Sequence, residues 1–221
     1  MVERKADPDE AWTAVDEYIV DRLIPDDPSH VRDANAAAGL PDIDVSIPQG
    51  KMLHLLARAC GARRVLEIGT LGGYSTVWLA RAVPADGAVV TLEIDPHHAE
   101  VARANLAAAM LADRVTVITG DAHASLAALT GAFDLVFIDA DKPSNVAYFA
   151  EATRLSRPGT MIIIDNVVRE GDVLDPTSDD PRVQGTRALF DAIAGEPRLS
   201  ATAVQTVGAK KWDGFIVALV D

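Results

Sequence analysis

One cysteine, Cys60, is all that 221 residues contain. That excludes an intrachain disulfide and any multi-cysteine metal site. Cys60 falls on the apolar face of a helical pattern, where a thiol is expected to be a buried structural group. Basic residues are also short: 20 Lys and Arg against 33 Asp and Glu give a formal net charge of −13. A nucleic-acid groove or an anionic membrane surface needs a basic footprint, so neither is expected as the main partner. The same balance suits a cationic ligand or a metal ion, and surface solubility explains it equally well. No apolar run is long enough to span a bilayer, and the acidic first thirty residues lack the apolar core of a secretion signal. The cytoplasm is the expected compartment. No Ser-, Gly- or Pro-rich linker divides the chain and no internal repeat recurs. Its length fits one α/β domain, residues 1–221, with 1–60 as an N-terminal helical cap and 61–221 as the core.

What is present is a regular alternation. Apolar steps of three and four residues predict helices over 8–23, with Trp12, Val15, Ile19 and Leu23 on one face and Asp7 and Asp9 at its start, then over 29–38 and 48–59. From Arg63 onward short apolar runs at 65–68, 89–94, 115–119, 135–138 and 160–164 alternate with helical patterns at 75–83, 96–110, 122–129 and 144–155. Strands this apolar, interleaved with helices, argue a mostly parallel sheet covered on both faces. A polar segment, 169–182, and a helix at 183–194 follow. Two last runs, 200–207 and 215–220, joined by a short turn-rich loop, predict an antiparallel hairpin.

The chain is organised around Val65-Leu-Glu-Ile-Gly-Thr-Leu-Gly-Gly-Tyr-Ser75. A strand that stops at Gly69, Gly72 and Gly73 and feeds a helix offers backbone N–H groups and a bare backbone to a ligand. The pattern is Glu-x-Gly-x-x-Gly-Gly. It is not the Gly-x-Gly-x-x-Gly turn that seats a pyrophosphate. Glu67 at the strand end would repel a pyrophosphate and attract a cation or an amine. No Gly-x-Ser-x-Gly elbow of a hydrolase occurs either.

Ligands of open α/β sheets bind outside the carboxyl ends of the strands. Here each of the five predicted parallel strands ends in an acid: Glu67, Glu93-Ile-Asp95, Asp121, Asp139-Ala-Asp-Lys142 and Asp165-Asn166. Asp95 and Asp121 can be helix N-caps and nothing more. Five acids at one sheet edge repel one another unless something positive lies among them. Glu93 is placed to accept hydrogen bonds from a ribose diol, as it would in a dehydrogenase. Asp139, Asp165 and Asn166 form a hard-oxygen set suited to Mg²⁺, Mn²⁺ or Ca²⁺. Lys142 is either a base beside that set or a solvated ammonium paired with Asp141.

With these motifs together the chain resembles the class I S-adenosylmethionine-dependent methyltransferases. Within them it resembles the cation-dependent O-methyltransferases related to catechol and caffeoyl-CoA O-methyltransferases, in their bacterial form. The resemblance implies a Rossmann-like fold with strand order 3-2-1-4-5-7-6. It implies that Glu67, Gly69, Thr70, Gly73, Ser75, Glu93, Asp121, Ala122 and Asp139 contact the cofactor, with Val45 and Ser46 closing over it. It also implies that Asp139, Asp165 and Asn166 bind a divalent cation, Mg²⁺ before Mn²⁺ or Ca²⁺, and that Lys142 and Asp139 are catalytic. The acceptor would be a small aromatic vicinal diol and the assembly a homodimer. The amino-terminal helices and segment 169–182 are expected to shape the acceptor pocket. Trp212 either flanks the acceptor or packs on the surface, His123 borders the adenine site, and His97 and His98 are surface or capping residues. The rivals are a non-catalytic cofactor-binding protein of the same fold and a nicotinamide-dependent oxidoreductase.

Overall fold

The computed structural model describes residues 8–221. Asp7, expected at the start of the first helix, lies outside the described residues. Three helices come first: α1 (Pro8–Leu23), α2 (Ser29–Ala37) and α3 (Ile47–Ala59). The alternating part follows as β1 (Arg64–Ile68), α4 (Tyr74–Ala82), β2 (Ala88–Glu93), α5 (Pro96–Ala108), β3 (Val115–Thr119), α6 (Ala122–Ala128), β4 (Leu135–Ile138), α7 (Asn145–Arg154) and β5 (Met161–Asp165). Then α8 (Pro181–Ala194) leads into the hairpin β6 (Leu199–Thr206) and β7 (Asp213–Val220).

The seven strands form one sheet in the order β3-β2-β1-β4-β5-β7-β6. β1 to β5 pair in parallel, and β7 runs antiparallel to both β5 and β6. This is the expected Rossmann-like methyltransferase sheet, with helices on both faces and extra helices ahead of it. Strand order reverses between β1 and β4, the switch point where such sheets open a crevice. Ile68 pairs with both Leu92 and Ile138, and Ile138 with Ile164, so the carboxyl ends of β1, β2, β4 and β5 finish level along one edge.

Strand alternation sends side chains to two cores. Val65, Val89, Phe137 and Ile163 pack under α3 and α4 with Tyr74 and Trp78. Leu66, Ile68, Val136, Ile138, Ile162 and Ile164 pack on the other face with Tyr148, Phe149 and Leu189. Each fully buried aliphatic side chain contributes about 1.5–3 kcal/mol relative to an exposed one. Glu67 and Thr91 share the parity of Val65 and Val89, so the strand pattern directs both into the first core.

The apolar stripe on α1 is not buried: no residue of that helix is, and Val15 and Leu23 are exposed. Only Ile19 and Val20 meet the core. Cys60, expected to be buried, is half-buried at the end of α3, its Sγ 3.4 Å from the Ala57 carbonyl. Segment 169–182 is also not one loop. It folds into short helical turns at Arg169–Leu174, and α8 begins two residues earlier than the pattern predicted, at Pro181, where Asp180 caps it through Arg182 N.

Candidate active site

A cleft of about 690 Å³ opens along the carboxyl ends of β1, β2, β3 and β4. Its floor is the turn after β1. Gly69 has φ +97°, and a Cβ there would fall 2.0 Å from the carbonyl oxygen of Asp139. Only glycine permits that conformation and that approach of β1 to β4. The roof is the loop between α2 and α3, through Ile43, Asp44 and Val45. At one end lie Asp121, Ala122 and His123, and at the other Asp139, Lys142 and Asn166.

Two N–H groups of the turn, which the sequence suggested would be open to a ligand, are bonded within the chain. Glu93 Oε2 accepts from Thr70 N at 3.1 Å and from Leu71 N at 2.7 Å, and Glu93 Oε1 accepts from Asp95 N at 3.0 Å. A carboxylate thus occupies the donors that a dinucleotide fold gives to a pyrophosphate. That argues against a nicotinamide cofactor more directly than the missing glycine does.

Glu67 lies behind the cleft wall and does not line it. It is fully buried, accepting from Ser75 Oγ at 2.6 Å, Thr76 Oγ1 at 2.5 Å and Thr91 Oγ1 at 2.7 Å. Ser75 lines the cleft, so Glu67 reaches a ligand only through that hydroxyl. Burial pushes the Glu67 carboxyl from its ordinary 4.5 up to about 7, against the three hydroxyl donors. A raised carboxyl pKa gives stability that is complete below the unfolded value of 4.5 and is lost as pH rises through about 7. Glu67→Gln removes this loss. The stability of ligand-free Glu67→Gln relative to wild type, from urea unfolding, is expected to rise by on the order of 3 kcal/mol across that interval. A gap that stays constant with pH would contradict the burial of an ionisable Glu67.

Lys142 is not the solvated ammonium paired with Asp141 that was one of its two readings. It is 7% exposed, and its Nζ lies 2.9 Å from Asp139 Oδ1. Asp141 instead accepts from Tyr148 Oη at 2.5 Å. Asp165 is buried at the end of β5, where burial and then the charge of Asp139 hold its carboxyl above the usual range. Asn166 follows at φ +58°, a left-handed conformation that asparagine tolerates. Among the described residues no three His, Cys, Asp or Glu side chains form a cluster able to hold a metal. The hard-oxygen set here is two carboxylates and an amide. Its chemistry suits a divalent cation, which takes hard oxygen ligands and would add positive charge beside the two carboxylates.

A second, smaller cleft of about 190 Å³ lies on the far side of Asp165 and Asn166. Asn166 lines both clefts. Pro48, Met52 and Phe215 give the small cleft apolar walls, while Asp16 of α1, Thr206 at the end of β6, and Val207, Gly208, Lys210 and Lys211 of the hairpin loop form its rim. Segment 169–182, expected to shape an acceptor pocket, lines neither cleft. Trp212 packs over Gly171 and donates from Nε1 to Gln205 at 3.0 Å, away from both.

The remaining predicted residues divide. Val45, Gly69, Thr70, Ser75, Glu93, Asp121, Ala122 and Asp139 line the large cleft. Ser46 lines the small one and caps α3 through Gln49 N at 3.3 Å. Gly73 lines neither and, at φ +87°, turns the chain into α4. Asp121 is both lining and cap, accepting from His123 N at 2.8 Å. His123 lines the cleft and stacks on Tyr148 at 5.1 Å. His98, read as surface or cap, also lines it, its Nδ1 3.6 Å from Glu93 Oε1. The sequence missed Asp44, His98 and Tyr148. Tyr148 repeats the helical step from Asp141 at i+7, which is the one signal that could have found it.

This sheet, with an acid-held turn that rejects pyrophosphate and a cleft ending at Asp139 and Lys142, defines a class I S-adenosylmethionine-dependent methyltransferase. The model of the family described as O-methyltransferase matches residues 28–217, and the chain belongs to that family. A catechol O-methyltransferase of Mycobacterium tuberculosis is 54% identical over 93% of this chain and 94% of its own. Among solved structures, an O-methyltransferase from Bacillus cereus in complex with SAH is 58% identical at a TM-score of 0.94, covering 96% of this chain and all of its own. The O-methyltransferase TomG from Streptomyces achromogenes, in complex with SAM, is 46% identical at a TM-score of 0.92, covering 100% of this chain and 99% of its own. The chain is thus an enzyme of S-adenosylmethionine-dependent O-methylation, as the motifs implied.

Proposed function

We propose that the acceptor is a small aromatic vicinal diol, a catechol, and that methyl transfer to it requires a divalent cation, Mg²⁺ before Mn²⁺ or Ca²⁺. The observation that carries this reading is Asn166 lining both clefts beside Asp165, with Asp139 and Lys142 at the same wall. The name of the Mycobacterium tuberculosis relative supports the same acceptor class.

Asp139, Asp165 and Asn166 would hold the cation. When bound, it supplies positive charge that lowers the pKa of a hydroxyl beside it. The chain's own residues do the rest. Val45, Thr70, Ser75 and Glu93 hold S-adenosylmethionine in the large cleft, with Glu67 fixing Ser75 from behind. Gly69 and Gly73 shape the floor, Asp121 and Ala122 bound the far end, and Ser46 fixes the start of α3. Pro48, Met52 and Phe215 hold the ring in the small cleft. The neutral amine form of Lys142, its Nζ held by Asp139, takes the proton of the hydroxyl to be methylated and becomes the ammonium. The acceptor oxygen then attacks the methyl carbon, and the O–CH₃ bond forms as the S–CH₃ bond breaks. The donor methyl is already activated, so positioning and charge provide most of the acceleration. Of the described residues, the helices α1 to α3 and the loop before α3 cap the clefts. The chain works in the cytoplasm as a homodimer, a reading supported by the exposed apolar residues of α1. Among the described residues no helix is long and apolar enough to cross a membrane.

The acceptor reading is tested with S-adenosylmethionine, Mg²⁺ and two acceptors, catechol and phenol. Catechol is expected to be methylated at least about a hundredfold faster, because phenol lacks the second oxygen that fixes the first. Equal rates would contradict the diol reading.

A further inference from the structure

Asn35 of α2, Asn105 of α5 and Asp44 of the roof loop form a buried chain of hydrogen bonds across the top of the cofactor turn. They are 2%, 5% and 9% exposed. Asn105 Nδ2 donates to the Gly72 carbonyl at 2.8 Å and to Asn35 Oδ1 at 2.9 Å. Asn35 Nδ2 in turn donates to both carboxylate oxygens of Asp44 at 3.2 Å. The chain therefore runs from the floor of the large cleft to its roof. Gly72 is a glycine for this reason: a Cβ there would fall 1.8 Å from Asn35 Oδ1.

Asp44 ends the chain and lines the cleft beside Val45. An ionised carboxylate has about four acceptor positions. Here one amide group, at long distance, is shared between both oxygens. Arg32 and Lys210 act on Asp44 only through their fields, and burial raises its carboxyl above the usual range. A largely desolvated carboxylate with so few donors is costly unless a ligand completes it. The direction left to it is the cleft.

We propose that Asp44 is a cofactor-binding residue whose carboxylate accepts hydrogen bonds from S-adenosylmethionine, and that Asn35 and Asn105 are positioning residues that hold it over the turn. This rests on the large cleft being the S-adenosylmethionine site. The donor is either the ammonium group or a ribose hydroxyl. 5′-Methylthioadenosine keeps the ribose and lacks the ammonium, so it separates the two.

The test is calorimetric binding of S-adenosylmethionine and of 5′-methylthioadenosine to wild type, Asp44→Asn, Asn35→Ala and the double variant. Asp44→Asn keeps the side-chain shape and is expected to weaken S-adenosylmethionine by about tenfold or more. The acceptor KM at saturating cofactor should stay within about twofold. Asn35→Ala should weaken the cofactor in the same direction, and the double variant should bind no more weakly than Asp44→Asn alone, because both act through one contact. A matching loss for 5′-methylthioadenosine assigns the ribose, and an unchanged affinity assigns the ammonium. S-adenosylmethionine bound within about twofold of wild type by Asp44→Asn would overturn the proposal, and losses that simply add would overturn the positioning role of Asn35. Wild type that fails to bind S-adenosylmethionine would instead overturn the reading of the cleft.

Discussion

Lys142→Ala is expected to lower kcat by roughly a hundred- to ten-thousand-fold while S-adenosylmethionine binds within a few-fold of wild type. The reason is its placement. The ammonium is 7% exposed and held 2.9 Å from Asp139 at the end of the large cleft. A buried lysine is retained at the cost of desolvation, and its single ion pair does not require a cleft wall. The floor and roof that hold the cofactor, Gly69, Glu93 and Val45, do not depend on it. Lys142→Arg should not restore the rate, because a guanidinium cannot exchange a proton near neutral pH. Single-turnover rates and cofactor affinity, measured on the same preparations, check both parts. Equal losses in the two would remove Lys142 from the chemistry and make it a structural cation.

Removal of divalent cations is expected to abolish transfer, a loss of at least about a thousandfold, with S-adenosylmethionine still bound. Asp139 directly follows β4 and Asp165 ends the adjacent β5, and Asp165 is almost wholly out of solvent. Two carboxylates so placed repel, and the one Lys142 ammonium does not neutralise both. Asn166 adds a neutral oxygen and turns back at φ +58°, where it lines the small cleft as well. Without positive charge at this wall, an acceptor hydroxyl keeps an ordinary phenolic pKa near 10 and meets a carboxylate pair.

Much of this was legible in the chain. The alternation of apolar runs and helical patterns dictated the five parallel strands, and the acids at their ends gave the cleft its composition. The order β3-β2-β1-β4-β5-β7-β6 came from resemblance, because apolar strand runs carry no record of their neighbours. Lys142 was ambiguous because a sequence shows charge and not burial. Glu67 was expected to face the ligand. Strand parity instead sends it into the core, where three hydroxyls from Ser75, Thr76 and Thr91 receive it, and two of those lie on α4. Asp44 was invisible, since it lies in a loop before the first strand and gains its place only through Asn35 and Asn105, contacts separated by 9 and 70 residues along the chain. The amino-terminal helices and segment 169–182 were expected to shape the acceptor pocket. The small cleft does draw on α1 and α3, but the rest of its rim is the β6–β7 loop, which meets α1 through Asp16 and Ala209 N at 2.9 Å, a long-range contact with no local pattern.

The most direct test is methyl transfer from S-adenosylmethionine to catechol by the full chain, first stripped with EDTA and then titrated with Mg²⁺. The expected result is no transfer after stripping, with cofactor affinity retained, and full recovery on adding Mg²⁺. Transfer that continues unchanged in EDTA would contradict the cation at Asp139, Asp165 and Asn166, and would leave Lys142 alone to activate the acceptor.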